Sequence, residues 1–100
     1  MNNDLNRAEV IKEALALRYK VKTNELENER LKLKLEIKEN LQILEDYKNG
    51  TLKDPSVKID PARVLNNITC NYRALAENNE EKKAFESAWQ DMVKFGFINP

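Results

Sequence analysis

The chain has 100 residues, of which 17 are basic and 17 acidic, with one cysteine and no histidine. This length allows one domain at most, and a chain this short buries only about 65% of the surface that its unfolded form exposes, so we expect its stability to depend on a partner or on self-association. The balanced charge provides no net attraction for nucleic acid or for an anionic membrane, and the cysteine and histidine counts exclude an intramolecular disulfide and the common Cys/His zinc sites.

The N-terminal segment, MNNDLNRAEV, is polar and has no apolar core. No run of the sequence approaches the roughly 20 apolar residues of a membrane span. We therefore expect a cytoplasmic protein that makes no membrane contact. The composition, rich in Asn and Lys and poor in Gly, is similar to that of small phage or mobile-element proteins.

The first predicted element is a long oligomerisation helix that occupies residues 1–50. Neither Gly nor Pro lies between Asn6 and Lys48, where strong helix formers dominate. Asn6 can cap the helix, and Glu9, three residues on, completes a capping box. Gly50 is placed to end the helix in the left-handed conformation.

A break near Thr23 and Asn24 is the alternative to one continuous helix. Asn24 and Glu27 have the spacing of a second capping box. The sequence favours continuity, because a hairpin at this point would lack the usual connection of roughly 2–8 residues.

Within this helix, the stretch RLKLKLEIKE (residues 30–39) alternates apolar and charged residues with the period of a strand. No turn residues flank it, so we predict helix. At about 100° per residue, the alternation then places apolar residues on two opposite faces. The main stripe comprises Leu5, Ala8, Ile11, Leu15, Tyr19, Leu26, Leu33, Ile37, Leu41, Leu44 and Tyr47. The second, broken stripe comprises Val10, Ala14, Leu17, Val21, Leu31, Leu35 and Ile43. The predicted oligomer or partner interface consists of Leu15, Tyr19, Leu26, Leu31, Leu33, Leu35, Ile37, Leu41 and Leu44.

Residues 51–60 form the predicted linker, and 61–100 the predicted C-terminal helical hairpin. Asp60 can cap its first helix, about 61–77, with Pro61 at the first helical position. A capping box at Asn78 predicts an interruption, followed by a second helix of about 79–95. The expected fold is therefore all-α, with two short helices packed on one long helix, assembling as a helical bundle or coiled-coil oligomer.

The sequence contains no constellation typical of catalysis. There is no histidine base, no glycine-rich phosphate loop and no nucleophile elbow. Pairs such as Glu45/Asp46 and Glu80/Glu81 are interpreted as solvated charges near helix ends. Cys70 has little positive charge near it in sequence, so we expect a free thiol without a reactive role. The prediction is a non-enzymatic protein with no cofactor and no metal site.

An alternative is a DNA-binding accessory or regulatory protein that uses the C-terminal helix pair. Two short helices joined by a tight turn suit a helix-turn-helix, and amide and guanidinium groups read base edges. Against this, residues 61–100 carry five acidic and five basic groups, whereas phosphate contacts usually dominate affinity. The candidate nucleic-acid contacts are Arg18, Lys20, Lys22, Asn67, Asn71 and Arg73.

The favoured function is that of a small oligomeric helical adaptor or inhibitor that binds and modulates another macromolecule. The expected partners are a second copy of the chain, with a dimer as the favoured oligomer, and a protein that the sequence does not identify. A long exposed apolar stripe is an interaction site, which is the basis of this prediction. The sequence leaves open whether the helices of the oligomer run parallel or antiparallel.

Overall fold

The structure is a computed structural model that describes residues 3–52, 54, 56 and 58–97, with side chains described from residue 7 onward. The described residues form two α-helices and no strands. Helix α1 spans Asn3–Asn49 and helix α2 spans Pro61–Lys94. The predicted all-α class is confirmed.

Helix α1 is continuous, as predicted, but it begins at Asn3, three residues before the predicted cap at Asn6. Neither Gly nor Pro precedes Asn6 in the sequence, so no helix breaker separates Asn3 from the predicted cap. At the alternative break point, the Thr23 hydroxyl donates to the carbonyl oxygens of Tyr19 (3.0 Å) and Lys20 (2.9 Å). Thr23 is thus accommodated inside the helix.

The predicted interruption at Asn78 is wrong, because α2 runs unbroken through this position. There are therefore two helices in the described residues and not three. Neither Gly nor Pro lies within α2 after Pro61, and an interior Asn costs only several tenths of a kcal/mol relative to Ala. Asn78 is also buried, at 3% exposure, and its Nδ2 donates to Glu29 Oε2 at 3.4 Å. Its side chain therefore makes a tertiary contact within a continuous helix.

Both helices end at glycines with positive φ, and the end of α1 at Gly50 is as predicted. Gly50 has φ +70°, its N–H donates to the Tyr47 carbonyl (3.3 Å), and the Thr51 N–H donates to the Asp46 carbonyl (2.8 Å). This pair of bonds is the Schellman motif, which satisfies carbonyls left without partners at a helix end. The same pattern occurs around Gly96, which has φ +79°.

The start of α2 is capped by Asp60, as predicted. The Ala62 N–H donates to Asp60 Oδ1 at 3.1 Å, which satisfies one donor of the first turn. In the preceding linker, the Ser56 N–H (3.0 Å) and hydroxyl (2.6 Å) both donate to Asp54 Oδ1. Both hydrogen bonds lower the pKa of the Asp54 carboxyl below its usual 3.8, and the bond from the Ser56 hydroxyl has the larger effect. Pro55 lies outside the described residues.

The contacts divide the chain into two compact units. The first unit is Met1–Asn28 with Asn79–Pro100, and the second is Glu29–Asn78. In the second unit, the buried apolar side chains are Ile37 and Ile68, at 7% and 6% exposure. In the first unit, Leu26 is buried at 3% exposure. Among the described side chains, the buried apolar core is thus small.

Candidate interaction surface

An aromatic cluster joins the two helical segments of the first unit. The Tyr19 ring stacks on Trp89, with centroids 4.1 Å apart and planes 25° apart, and on Phe85 at 5.5 Å and 13°. Beside it, Lys22 Nζ lies 2.6 Å from Glu81 Oε1. Because rising numbers on α1 meet falling numbers on α2, the segments of this unit are antiparallel. Trp89 is half-buried.

Six of the nine residues predicted to form an interface between chains are covered by the chain's own residues. Leu26 and Ile37 are buried, and the other four are half-buried. The half-buried members are Leu15, Tyr19, Leu33 and Leu44. These six side chains therefore stabilise the fold of a single chain, and their role in an interface between chains stays a prediction.

The other three predicted interface residues are exposed. Leu31 and Leu35 are both 55% exposed and Leu41 is 48% exposed. Leu31 and Leu35 precede Leu33 and Ile37 by two residues, and two residues turn a helix by about 200°. In the second unit, α1 therefore presents one apolar face to the interior and another to the solvent.

The first unit repeats this arrangement with residues that the predicted interface omits. Val10 is 62% exposed, Leu17 63% and Val21 48%, and Ala14 between them is also exposed. We call Val10, Ala14, Leu17, Val21, Leu31 and Leu35 the outer stripe of α1. The sequence places all six on its second apolar stripe, yet the predicted interface contains only two of them. The alternating spacing of four and three residues from Val10 to Val21 is the signal that could have found the rest.

The residues predicted to contact nucleic acid are divided between the two units. Lys22 is half-buried and pairs with Glu81, whereas Arg18 and Lys20 are exposed in the same unit. In the second unit, Asn67 and Asn71 line an open groove that also contains two carboxylates, and Arg73 is exposed. The carboxylates belong to Glu36 and Glu39, and they repel phosphate. The continuous α2 also lacks the turn that a helix-turn-helix requires.

Other chemistry has little support among the described residues. Cys70 is an exposed free thiol. No three metal-ligating side chains in the described part of the chain approach closely enough to hold an ion. Neither described helix combines the length and apolar character needed to cross a membrane.

Comparison with known proteins identifies no relative, since no protein family, curated protein or solved structure matches the chain.

Proposed function

We propose that this chain is a non-enzymatic protein–protein interaction module, a small oligomeric helical adaptor or inhibitor that binds through the outer stripe of α1. The observation that carries the proposal is the use of α1 on two faces. On one face most of the large apolar side chains are covered within the chain, apart from Ile11, Leu41 and Tyr47, while the large apolar side chains of the opposite outer stripe remain about half exposed or more. A regular row of such side chains is typical of a surface that another chain covers.

The small core supports the same proposal. Among the described residues, the buried apolar side chains are Leu26, Ile37 and Ile68. Burial of apolar surface is the main favourable contribution to folding, so a chain with a small core gains stability from a partner that covers more apolar area. The exposed thiol of Cys70 fits the reducing conditions of the cytoplasm, where we propose that the protein acts.

Nucleic-acid binding is the weaker alternative. Asn67 and Asn71 share their groove with carboxylates, and Lys22 already pairs with Glu81. Phosphate contacts by Lys and Arg normally supply most of the affinity for nucleic acid, and these residues provide no concentrated basic surface.

The proposal is tested by placing a benzophenone photocrosslinking residue at position 17, in the outer stripe, and at position 87 as the control. Ser87 is exposed on α2 of the same unit. We expect irradiation in purified protein or in extract of the native host to produce protein adducts from position 17 that excess unlabelled wild type competes away. Equal adduct formation from positions 17 and 87, or none from position 17, would contradict the proposed binding surface.

A matched pair of double variants provides the complementary test. Leu17→Ser/Leu35→Ser removes apolar area from the outer stripe, and Leu65→Ser/Tyr72→Ser removes comparable exposed area from α2, where these residues are 58% and 55% exposed. Each variant is first shown by circular dichroism to keep its helicity. We expect binding to be lost in the first variant and retained in the second. The reverse result would assign binding to α2.

A further inference from the structure

The outer stripe, together with Asn24 and Asn28, follows the heptad spacing of a coiled coil. Positions 10, 14, 17, 21, 24, 28, 31 and 35 alternate steps of four and three residues, which makes 14, 21, 28 and 35 the a positions and the other four the d positions. All eight residues are exposed. All eight positions belong to the continuous helix α1.

From this pattern we propose that α1 forms a parallel, in-register, two-stranded coiled coil with α1 of a second copy of this chain, through the outer stripe together with Asn24 and Asn28. The inference rests on the proposed function, since it names the partner of the same surface. In the first unit the covered Tyr19 lies on the side of α1 opposite Leu17, and in the second unit the covered Ile37 lies opposite Leu35. A second copy on the outer stripe therefore leaves the packing within each unit intact.

The charges beside the stripe fit a parallel pair. In a parallel coiled coil, each g residue faces the e residue five positions later on the partner helix. The g residues alternate in sign, and the e residues alternate in the opposite order, so that all four g–e pairs join opposite charges. These exposed pairs are Glu13 with Arg18, Lys20 with Glu25, Glu27 with Lys32, and Lys34 with Glu39.

An antiparallel pair of the same helices has no register that satisfies both charge and core. Aligning Asn24 with Asn28 of the other copy brings like charges together, with Glu25 facing Glu25, Lys20 facing Lys34 and Arg18 facing Lys32. Shifting this alignment by one heptad towards the N-terminus restores opposite charges. It also sets Asn24 against Val21 and Asn28 against Leu17, which buries amides without partners.

The identity of the core residues fits two strands in register. In the parallel arrangement Asn24 faces Asn24 and Asn28 faces Asn28, so that each amide can hydrogen-bond with its counterpart. An Asn at an a position, which Asn28 occupies here, specifies register and dimeric state at a cost in stability. Val21 at an a position and Leu17 and Leu31 at d positions are the residue types that favour dimers.

Disulfide formation tests the orientation in the full chain. In a Cys70→Ser background, Leu17→Cys places a thiol at a d position, which faces the same position of a parallel partner within reach of a disulfide. In the antiparallel alignment of Asn24 with Asn28, position 17 faces position 35, and the two copies of position 17 lie about 27 Å apart. We expect a covalent dimer of Leu17→Cys in a glutathione buffer. The control, Ser87→Cys in the same background, should stay monomeric under denaturing conditions. The proposal would be overturned if Leu17→Cys formed no dimer while a mixture of Leu17→Cys and Leu35→Cys chains formed a disulfide between the two variants.

A charge exchange tests the register. Lys20→Glu sets a carboxylate against Glu25 of the partner at two symmetric places in the dimer, so we expect the dissociation constant to rise about fivefold. Adding Glu25→Lys should restore the wild-type value, as measured by sedimentation equilibrium with helicity checked for each variant. An unchanged constant in the single variant, or no recovery in the double variant, would overturn the register.

The same measurements separate this inference from the proposed function. A wild-type chain that stays monomeric at about 100 μM, a concentration at which even weak dimers form, overturns the coiled-coil dimer. If position 17 then crosslinks specifically to a different protein, the proposed binding through the outer stripe stands, and only its oligomeric part is wrong. If it crosslinks to no protein, both are wrong.

Discussion

Trp89→Ala tests how the helical segments of the first unit are held together. The Trp89 ring lies 4.1 Å from the Tyr19 ring, in a stacked arrangement. Truncating a fully buried aromatic side chain costs about 3–5 kcal/mol, and the half-buried Trp89 should lose roughly half of that. Loss of the stacked pair adds about 0.5–1.5 kcal/mol. We therefore expect the free energy of unfolding to fall by about 2–4 kcal/mol.

Urea unfolding followed by far-UV circular dichroism measures this loss. All variants are compared at one protein concentration, because the proposed self-association would make the apparent stability depend on concentration. Ser87→Ala is the matched control, since Ser87 is exposed on the same helix of the same unit. Its free energy of unfolding should change by less than about 0.5 kcal/mol.

A double-mutant cycle with Tyr19→Ala separates the stacking from the burial. We expect the two substitutions to be non-additive by about 0.5–1.5 kcal/mol, since they remove the same contact. A loss of less than about 1 kcal/mol in Trp89→Ala with native helicity, or strict additivity in the cycle, would refute the reasoning.

Three further substitutions test local features of the fold. Asp60→Ala removes the cap of α2 and should lower the free energy of unfolding by about 1 kcal/mol; an unchanged urea midpoint would show that the cap contributes nothing. Gly96→Ala forces a β-carbon into the left-handed region at φ +79° and should cost about 1 kcal/mol by the same assay, although nothing lies within 4 Å of the added carbon. Ser56→Ala should raise the pKa of Asp54 towards 3.8, as followed by NMR titration. Because the folded-state pKa is lowered, the stabilisation by Ser56 is present above the unfolded pKa and is lost as the pH falls through the folded value.

Features of the fold that depend on local chemistry could be predicted from the sequence. The continuity of α1 follows from its helix formers, its end at Gly50 from the need for a positive φ, and the start of α2 from Asp60 and Pro61. Each of these depends on residues within one or two helical turns. Such interactions are visible in the sequence because their partners lie nearby in it.

The continuity of α2 could not be predicted in this way. The capping box at Asn78 is a local pattern, whereas its side chain bonds to Glu29, which is distant in sequence. Tertiary contacts of this kind override weak local preferences. The prediction of three helices, and with it the helix-turn-helix alternative, depended on that one position.

The sequence pattern of α1 alone also could not predict which of its two apolar stripes is covered within the chain. Periodicity finds both apolar faces, but which of them faces α2 depends on the shape of the opposing side chains. Tyr19 stacks on Phe85 and Trp89, which selects its own face for the interior of the first unit. The face that carries Leu17 is then left to the solvent.

The stretch at residues 30–39, in which apolar and charged residues alternate as in a strand, has one covered and one exposed apolar face. In the second unit, Ile37 is buried and Leu33 half-buried, while Leu31 and Leu35 remain exposed. An apolar residue at every second position of a helix serves two opposite surfaces, and the charged residues between them lie along the edges of those surfaces. In the proposed dimer, Lys32 and Lys34 are the edge residues that face Glu27 and Glu39 of the second copy. The alternation that imitates a strand therefore suits a helix that packs within its own chain on one side and, as we propose, against a second copy on the other.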